Sequence, residues 1–266
     1  MAEEFSITGS QGKLVVSQWP NPEATFAVLL AHGIGEHAGR YEHVASHLVD
    51  HGAVVYAPDH RGHGRSDGER ALVDDVDAMA ADLHLVAGRV RDDHPALPLV
   101  LIGHSLGGII ATRFAQQHLE ELDALVLSAP VIGGNPGFEA LLGMDPMPDV
   151  PVDPAALSRD PAVGVAYAAD PLIYHGPLLR ETLQGIFGAV AAIAQGPDFG
   201  DLPTLWIHGE NDPLAPYDVT KAAFEHVGGP KLEAKVYPGA MHEIFNETNK
   251  EEVLGDVVEF LDRVLG

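Results

Sequence analysis

PLVLIGHSLGGIIATRFA, residues 98–115, runs from an unbroken apolar strand into an apolar helix through the turn Gly103-His104-Ser105-Leu106-Gly107. Glycines on both sides of Ser105 permit a sharp turn that a Cβ would obstruct. Such a turn lifts the serine hydroxyl out of the sheet edge and sets it at a helix N-terminus, which favours developing negative charge. Gly108 lets the helix pack tightly beneath. G-x-S-x-G alone is a common pattern. The strand before it and the helix after it make it a nucleophile elbow, with Ser105 as the candidate nucleophile.

Outward from this stretch, the hydrophobic period switches repeatedly between strand and helix. Strands are expected at Lys13–Trp19, Thr25–Ala31, Val54–Ala57, Pro98–Gly103, Ala124–Ser128 and Thr204–His208, with Leu232, Ala234 and Val236 alternating as a further one. Helical spacing marks Tyr41–Val49, Val76–Val90, Leu106 to about His118, Tyr217–Val227 and Val253–Leu265. Strands alternating with helices predict an α/β fold, a mostly parallel sheet covered on both faces. Residues 131–200 break the rhythm. Eight of the twenty prolines fall between Gly133 and Pro177, and Arg159 and Arg180 are the only basic residues of the stretch apart from histidine. A helix is expected only late, over Leu178–Ala194. Long irregular insertions of this kind serve as lids or binding elements. The expected organisation is therefore a core of residues 1–130 and 201–266 with a cap of residues 131–200.

Composition narrows the function. At 266 residues and 46% hydrophobic, the chain suffices for one large domain, and without cysteine it has neither disulfides nor thiol catalysis. Thirty-nine acidic against fifteen basic side chains give a net charge of −24, a field that repels nucleic acid and anionic membrane surfaces. The stretch MAEEFSITGS has neither a basic region nor an apolar run and no stretch reaches eighteen apolar residues, so no leader peptide, no transmembrane segment and a soluble, cytoplasmic protein are expected.

A serine hydroxyl needs a base, and the partners of an elbow serine follow it in the order acid, then histidine. His242, in PGAMHEIFN between the last strand and the last helix, is the candidate base. His208 is the runner-up, although it precedes the candidate acid. Asp212 in HGENDPLAP is the candidate acid, with Glu210 competing. Oxyanion donors are expected from the backbone N–H of Leu106 and from that of Ile34 in His32-Gly33-Ile34-Gly35, an H-G-x-G arrangement resembling the oxyanion loops of lipases. His43, His47, His51, His60 and His63 match neither H-E-x-x-H nor a dinuclear metal pattern, so no metal and no cofactor is expected.

Taken together, HGIGEHAGRYEHVA (32–45), APDHRGHGRSDGER (57–70), GHSLGG (103–108), LSRDP and YAADPLIYHG (157–176), HGENDPLAP (208–216) and YPGAMHEIFNE (237–247) resemble the bacterial monoacylglycerol lipases. These belong to the α/β-hydrolase fold, in a serine-hydrolase group with lysophospholipase-like and S33-peptidase-like members. The resemblance implies a triad of Ser105, Asp212 and His242, and oxyanion donors at Ile34 and Leu106. It also implies a cap whose apolar tunnel takes an acyl chain and touches lipid surfaces transiently. The expected reaction is hydrolysis of a small lipid ester, a monoacylglycerol, to fatty acid and glycerol. A broader carboxylesterase or lysophospholipase is the alternative within the fold, and a non-catalytic ligand-binding member the alternative outside catalysis. Glu36 and Arg40 match positions near the polar head-group pocket, or equally form an ion pair shaping their loop. Phe245 stands where animal relatives carry a glycerol-holding histidine, and is expected beside the substrate.

Overall fold

Apolar runs of five or six residues with no polar face must be covered on both sides, and this decides the architecture. The computed structural model describes residues 2–266. A hairpin of β1 (Glu3–Gly9) and β2 (Gly12–Trp19) comes first. Then β3 (Phe26–Ala31), α1 (Glu42–Asp50), β4 (Ala53–Pro58), α2 (Val76–Asp93), β5 (Leu99–His104), α3 (Leu106–Gln117) and β6 (Ala124–Ser128) alternate. Three helices follow, α4 (Pro136–Leu142), α5 (Pro161–Ala169) and α6 (Arg180–Gln195). The chain then resumes with β7 (Thr204–Gly209), α7 (Tyr217–Val227), β8 (Leu232–Tyr237) and α8 (Lys250–Leu265).

The eight strands form one sheet in the order β1-β2-β4-β3-β5-β6-β7-β8. β2 runs antiparallel to β1 and β4, and every other pairing is parallel. Alternation along the strands divides the core. Leu29, Leu101 and Leu127 face α2 and α3, with α6 and α7 completing that layer. Val28, Val100 and Val126 face the opposite way, toward α1 and α8. The α/β expectation holds, and the strands and longer helices lie within a few residues of where periodicity puts them.

β1 was not foreseen. Its residues are exposed or half-buried throughout, so no face is apolar enough to announce a strand, and pairing with β2 defines it. α4 and α5 were also missed. Each is shorter than three turns, begins at a proline and is capped by Asn135 or Asp160, while α5 carries a glycine mid-helix. α6 starts at Arg180, two residues after the expected Leu178. Among the described residues, no helix is long and apolar enough to cross a membrane.

Because six neighbouring strands, β4 through β8 in the sheet order, are parallel, the loops after β3, β5, β7 and β8 emerge along one edge, where α/β sheets bind ligands. The centre of the α2–α3 layer is Phe114, fully buried. Phe114→Ala is expected to cost roughly 3–5 kcal/mol in urea denaturation. Leu85→Ala, at a half-exposed α2 position, is expected to stay within about 0.5 kcal/mol.

Candidate active site

The turn after β5 is tight for a steric reason. A Cβ on Gly107 would lie 2.0 Å from the carbonyl oxygen of Ala31, and one on Gly103 would lie 2.4 Å from that of Gly107. This close approach leaves Ser105 at φ 53° and ψ −116°, a conformation that costs an L-residue about 1–3 kcal/mol. Flanking hydrogen bonds hold it. The Ser105 N–H donates to Ser128 O at 3.0 Å, and Ser105 O accepts from the N–H of Gly108 at 2.9 Å.

Ser105, His242 and Asp212 meet at this edge. The Ser105 hydroxyl lies 2.8 Å from His242 Nε2, and His242 Nδ1–H donates to Asp212 Oδ2 at 2.7 Å. Asp212 Oδ1 accepts from the N–H groups of Leu214 and Ala215 at 2.8 and 2.9 Å, so its two oxygens are divided between the imidazole and the loop. All three residues are buried. Burial alone would push the His242 imidazole down, yet the Asp212 carboxylate beside it outweighs that and holds it above the usual histidine range. Asp212 shifts the other way. Burial favours its acid form, but His242 keeps it below the ordinary carboxylate range.

The competing candidates are engaged elsewhere. His208 Nε2–H donates to Ala215 O at 2.7 Å, and its Nδ1 accepts from Trp206 Nε1–H. Glu210 accepts from the Gly239 N–H and so ties the β7 loop to the loop after β8. Ile34 and Leu106 both line the cavity above Ser105. Neither backbone N–H is paired with another group among the described residues. Gly33 brings the loop close, since a Cβ there would lie 3.2 Å from that of Ser105.

Glu36 and Arg40 form an ion pair within their loop. Glu36 Oε1 accepts from the Gly33 N–H at 2.6 Å and the Tyr41 hydroxyl at 2.7 Å, and its Oε2 pairs with Arg40. Both residues also line the cavity. Burial penalises the Glu36 carboxylate, but Arg40 keeps it below its usual range. Arg40 holds a second partner that sequence reasoning missed, Glu243, through two hydrogen bonds of 2.6 and 2.7 Å. Glu247 was missed as well. Almost fully buried, it accepts from the N–H groups of Met241, Thr248 and Arg159 and from Arg159 Nε, which fastens the His242 loop to residues 131–200.

Phe245 requires a correction. It does not line the cavity; a short 3₁₀ turn at Ile244–Asn246 rotates it into the core on the α1–α8 side of the sheet, where it is 2% exposed. An aromatic ring at that position gains more from core packing than from a polar pocket. His43 Nε2 bonds its carbonyl oxygen at 2.8 Å.

The cavity is mainly apolar, and about half of its lining comes from residues 131–200, including Phe138, Leu183, Ile186 and Phe187. Leu106, Ile109 and Leu214 add apolar surface from the core. The polar lining is gathered around Glu36, Arg40, Glu243 and His242, with Tyr167 of α5 lying under the Arg40 guanidinium at 5.3 Å. His32, His60 and His63 are buried behind the Ile34 loop. Burial lowers all three, and His63 is brought to about 4, so they stand as neutral framework. His32 Nδ1–H donates to Gly33 O and its Nε2 accepts from the His60 N–H, which braces that loop. Among the described residues, His84, His118 and Glu121 are spaced closely enough to share a metal ion, but none of them lines the cavity. The two imidazoles are stacked 3.8 Å apart and 16° from parallel, so their in-plane lone pairs do not converge on one ion.

Comparison with known proteins agrees with this geometry. The family described as "Serine aminopeptidase, S33" (Hydrolase_4) matches residues 22–249. The monoacylglycerol lipase of Mycolicibacterium smegmatis is 37% identical over 97% of this chain and 96% of its own. The human monoglyceride lipase is 30% identical over 91% of this chain and 84% of its own. Among solved structures, the Paleococcus ferrophilus monoacylglycerol lipase superposes with a TM-score of 0.81 at 27% identity, covering 94% of this chain and 99% of that one. With the parallel sheet, the strained serine turn and a family match over most of its length, the chain belongs to the S33 serine aminopeptidase family of α/β hydrolases.

Proposed function

We propose that the protein is a serine ester hydrolase that cleaves monoacylglycerols to fatty acid and glycerol through an acyl-serine intermediate, with no cofactor. One observation carries the reading: the hydrogen-bonded series Ser105–His242–Asp212 ends in a mainly apolar cavity whose charged lining is the linked trio Glu36, Arg40 and Glu243. An acyl chain suits the apolar walls, and a polyhydroxy alcohol suits the cluster. Lipases acting on the same substrate class among the relatives support the choice.

In this reading Ser105 Oγ attacks the ester carbonyl as His242 Nε2 takes its proton. The resulting oxyanion is met by the N–H groups of Ile34 and Leu106, each of the kind typically worth about 10²–10³ in rate. Collapse of the tetrahedral intermediate breaks the bond to the alcohol oxygen, and His242 returns the proton to the departing glycerol. Water, deprotonated by the same nitrogen, then releases the fatty acid and restores the serine. Asp212 keeps Nδ1 protonated and stabilises the imidazolium without taking the proton itself. Residues 131–200 act as the cap that holds the acyl chain and excludes water from it.

Ser105→Ala is expected to abolish labelling by a fluorophosphonate probe and to lower monoacylglycerol hydrolysis by roughly 10⁴-fold or more. Labelling that survives in this variant rejects Ser105 as nucleophile. Only neutral His242 can act as base, so kcat/KM should fall on the acid side as that imidazole protonates. Asp212→Asn removes the influence that holds it up. The acid limb is therefore expected to move to lower pH while kcat drops roughly 10⁴-fold. A limb that stays in place in a pH–rate profile would count against the assignment.

A further inference from the structure

The geometry points to Glu243 as the residue that selects the charge of the alcohol half of the ester: it occupies the Arg40 guanidinium and thereby turns away anionic head groups in favour of neutral, hydroxyl-bearing ones. This rests on the ester-hydrolase reading and deepens it.

The leaving alcohol must sit beside His242 Nε2 to receive its proton, so its substituents meet the polar residues nearest that atom. The polar side chains that line the cavity with His242 include His104, whose ring centroid lies 4.9 Å from that of His242, and the charged trio Glu36, Arg40 and Glu243. Arg40 is the one cation of this cluster, and a guanidinium is a natural bidentate partner for a phosphate. Here three of its five N–H donors are already taken. Nη1 donates to Glu36 Oε2 and Glu243 Oε1, and Nη2 donates to Glu243 Oε2. Two of these three bonds go to Glu243. One guanidinium between two carboxylates also leaves the cluster with a net charge of −1 in a nearly water-free setting, where Glu36 and Glu243 side chains are 4% and 5% exposed. An arriving phosphate would meet two carboxylates and find the Nη1–Nη2 edge of Arg40 already held by Glu243, and like-charge contact of this kind is costly. A hydroxyl has no such difficulty, because carboxylate oxygens retain lone pairs able to accept from it.

Glu243 is held for this task. Its N–H donates to Leu157 O at 2.7 Å, and Asn246 Nδ2–H donates to its Oε2 at 2.9 Å. Glu36 could not take over, since its Oε1 already accepts from Gly33 and Tyr41.

The test compares 1-lauroylglycerol with 1-lauroylglycerol 3-phosphate, the same acyl chain with a neutral or an anionic alcohol, below their micelle concentrations. Wild type is expected to prefer the neutral ester by about 100-fold or more in kcat/KM. Glu243→Ala should narrow that ratio by about 10-fold or more through a gain on the phosphate ester, with Glu243→Gln intermediate, since freed Arg40 donors can then take phosphate oxygens. Loss of positioning alone would depress both esters together. Glu139→Gln, an exposed carboxylate outside the cavity, should leave the ratio unchanged, and 0.5 M salt should erode it little if a buried contact rather than the overall charge is responsible. A ratio that does not move in either Glu243 variant while a fluorophosphonate still labels Ser105 overturns the proposal. Wild type also gives a reading that needs no variant: dodecyl phosphate should inhibit about 10-fold more weakly than 1-dodecylglycerol ether, and equal inhibition overturns it too. A wild type that neither labels nor hydrolyses lauroylglycerol overturns the ester-hydrolase reading itself, and this proposal with it.

Discussion

The contact between Gly107 and the end of β3 is the constraint on which the site depends. Backbone lies against backbone there, with no room for a Cβ between Gly107 and the Ala31 carbonyl. That approach brings two loops within reach of each other, the one carrying Ser105 and the one carrying Ile34. It also forces Ser105 into a left-handed conformation, maintained by the bonds to Ser128 and Gly108. A looser turn would relieve the strain and lose the alignment. Stability given up at one residue is the counterpart of a hydroxyl held ready at the sheet edge.

Around this point, charges bind loops that are far apart in sequence. Asp212 joins the β7 loop to His242. Glu247 joins the His242 loop to Arg159. Arg40 joins the Ile34 loop, through Glu36, to Glu243. Each is buried or nearly so on its acidic side, where breaking one partner leaves a costly unpaired charge. The loops after β3, β7 and β8 and residues 131–200 are thus fastened to each other by a few ionic hydrogen bonds in addition to apolar packing.

How much of this was legible in the sequence follows from what kind of signal each element leaves. The sheet was legible because strands covered on both faces must be continuously apolar, and Ser105 because glycine, serine and glycine stand between such a strand and a helix. Asp212 and His242 could be found by chain order and loop position. Glu243 and Glu247 could not, because a buried acid is indistinguishable in sequence from a solvated one in a chain with 39 acidic residues. β1 has no apolar face, and α4 and α5 are too short for a helical period to register. Phe245 was misplaced because one 3₁₀ turn decides whether the side chain meets the cavity or the core, and that rotation has no sequence mark.

The division of the cavity wall has an evolutionary consequence. Ser105, Asp212 and His242 belong to loops anchored in the sheet, while about half of the surrounding wall belongs to one contiguous stretch between β6 and β7. That stretch enters and leaves the sheet at adjacent parallel strands, so its length and composition can drift without altering the register of either. That part of the wall is therefore free to change separately from the loops that carry Ser105, Asp212 and His242.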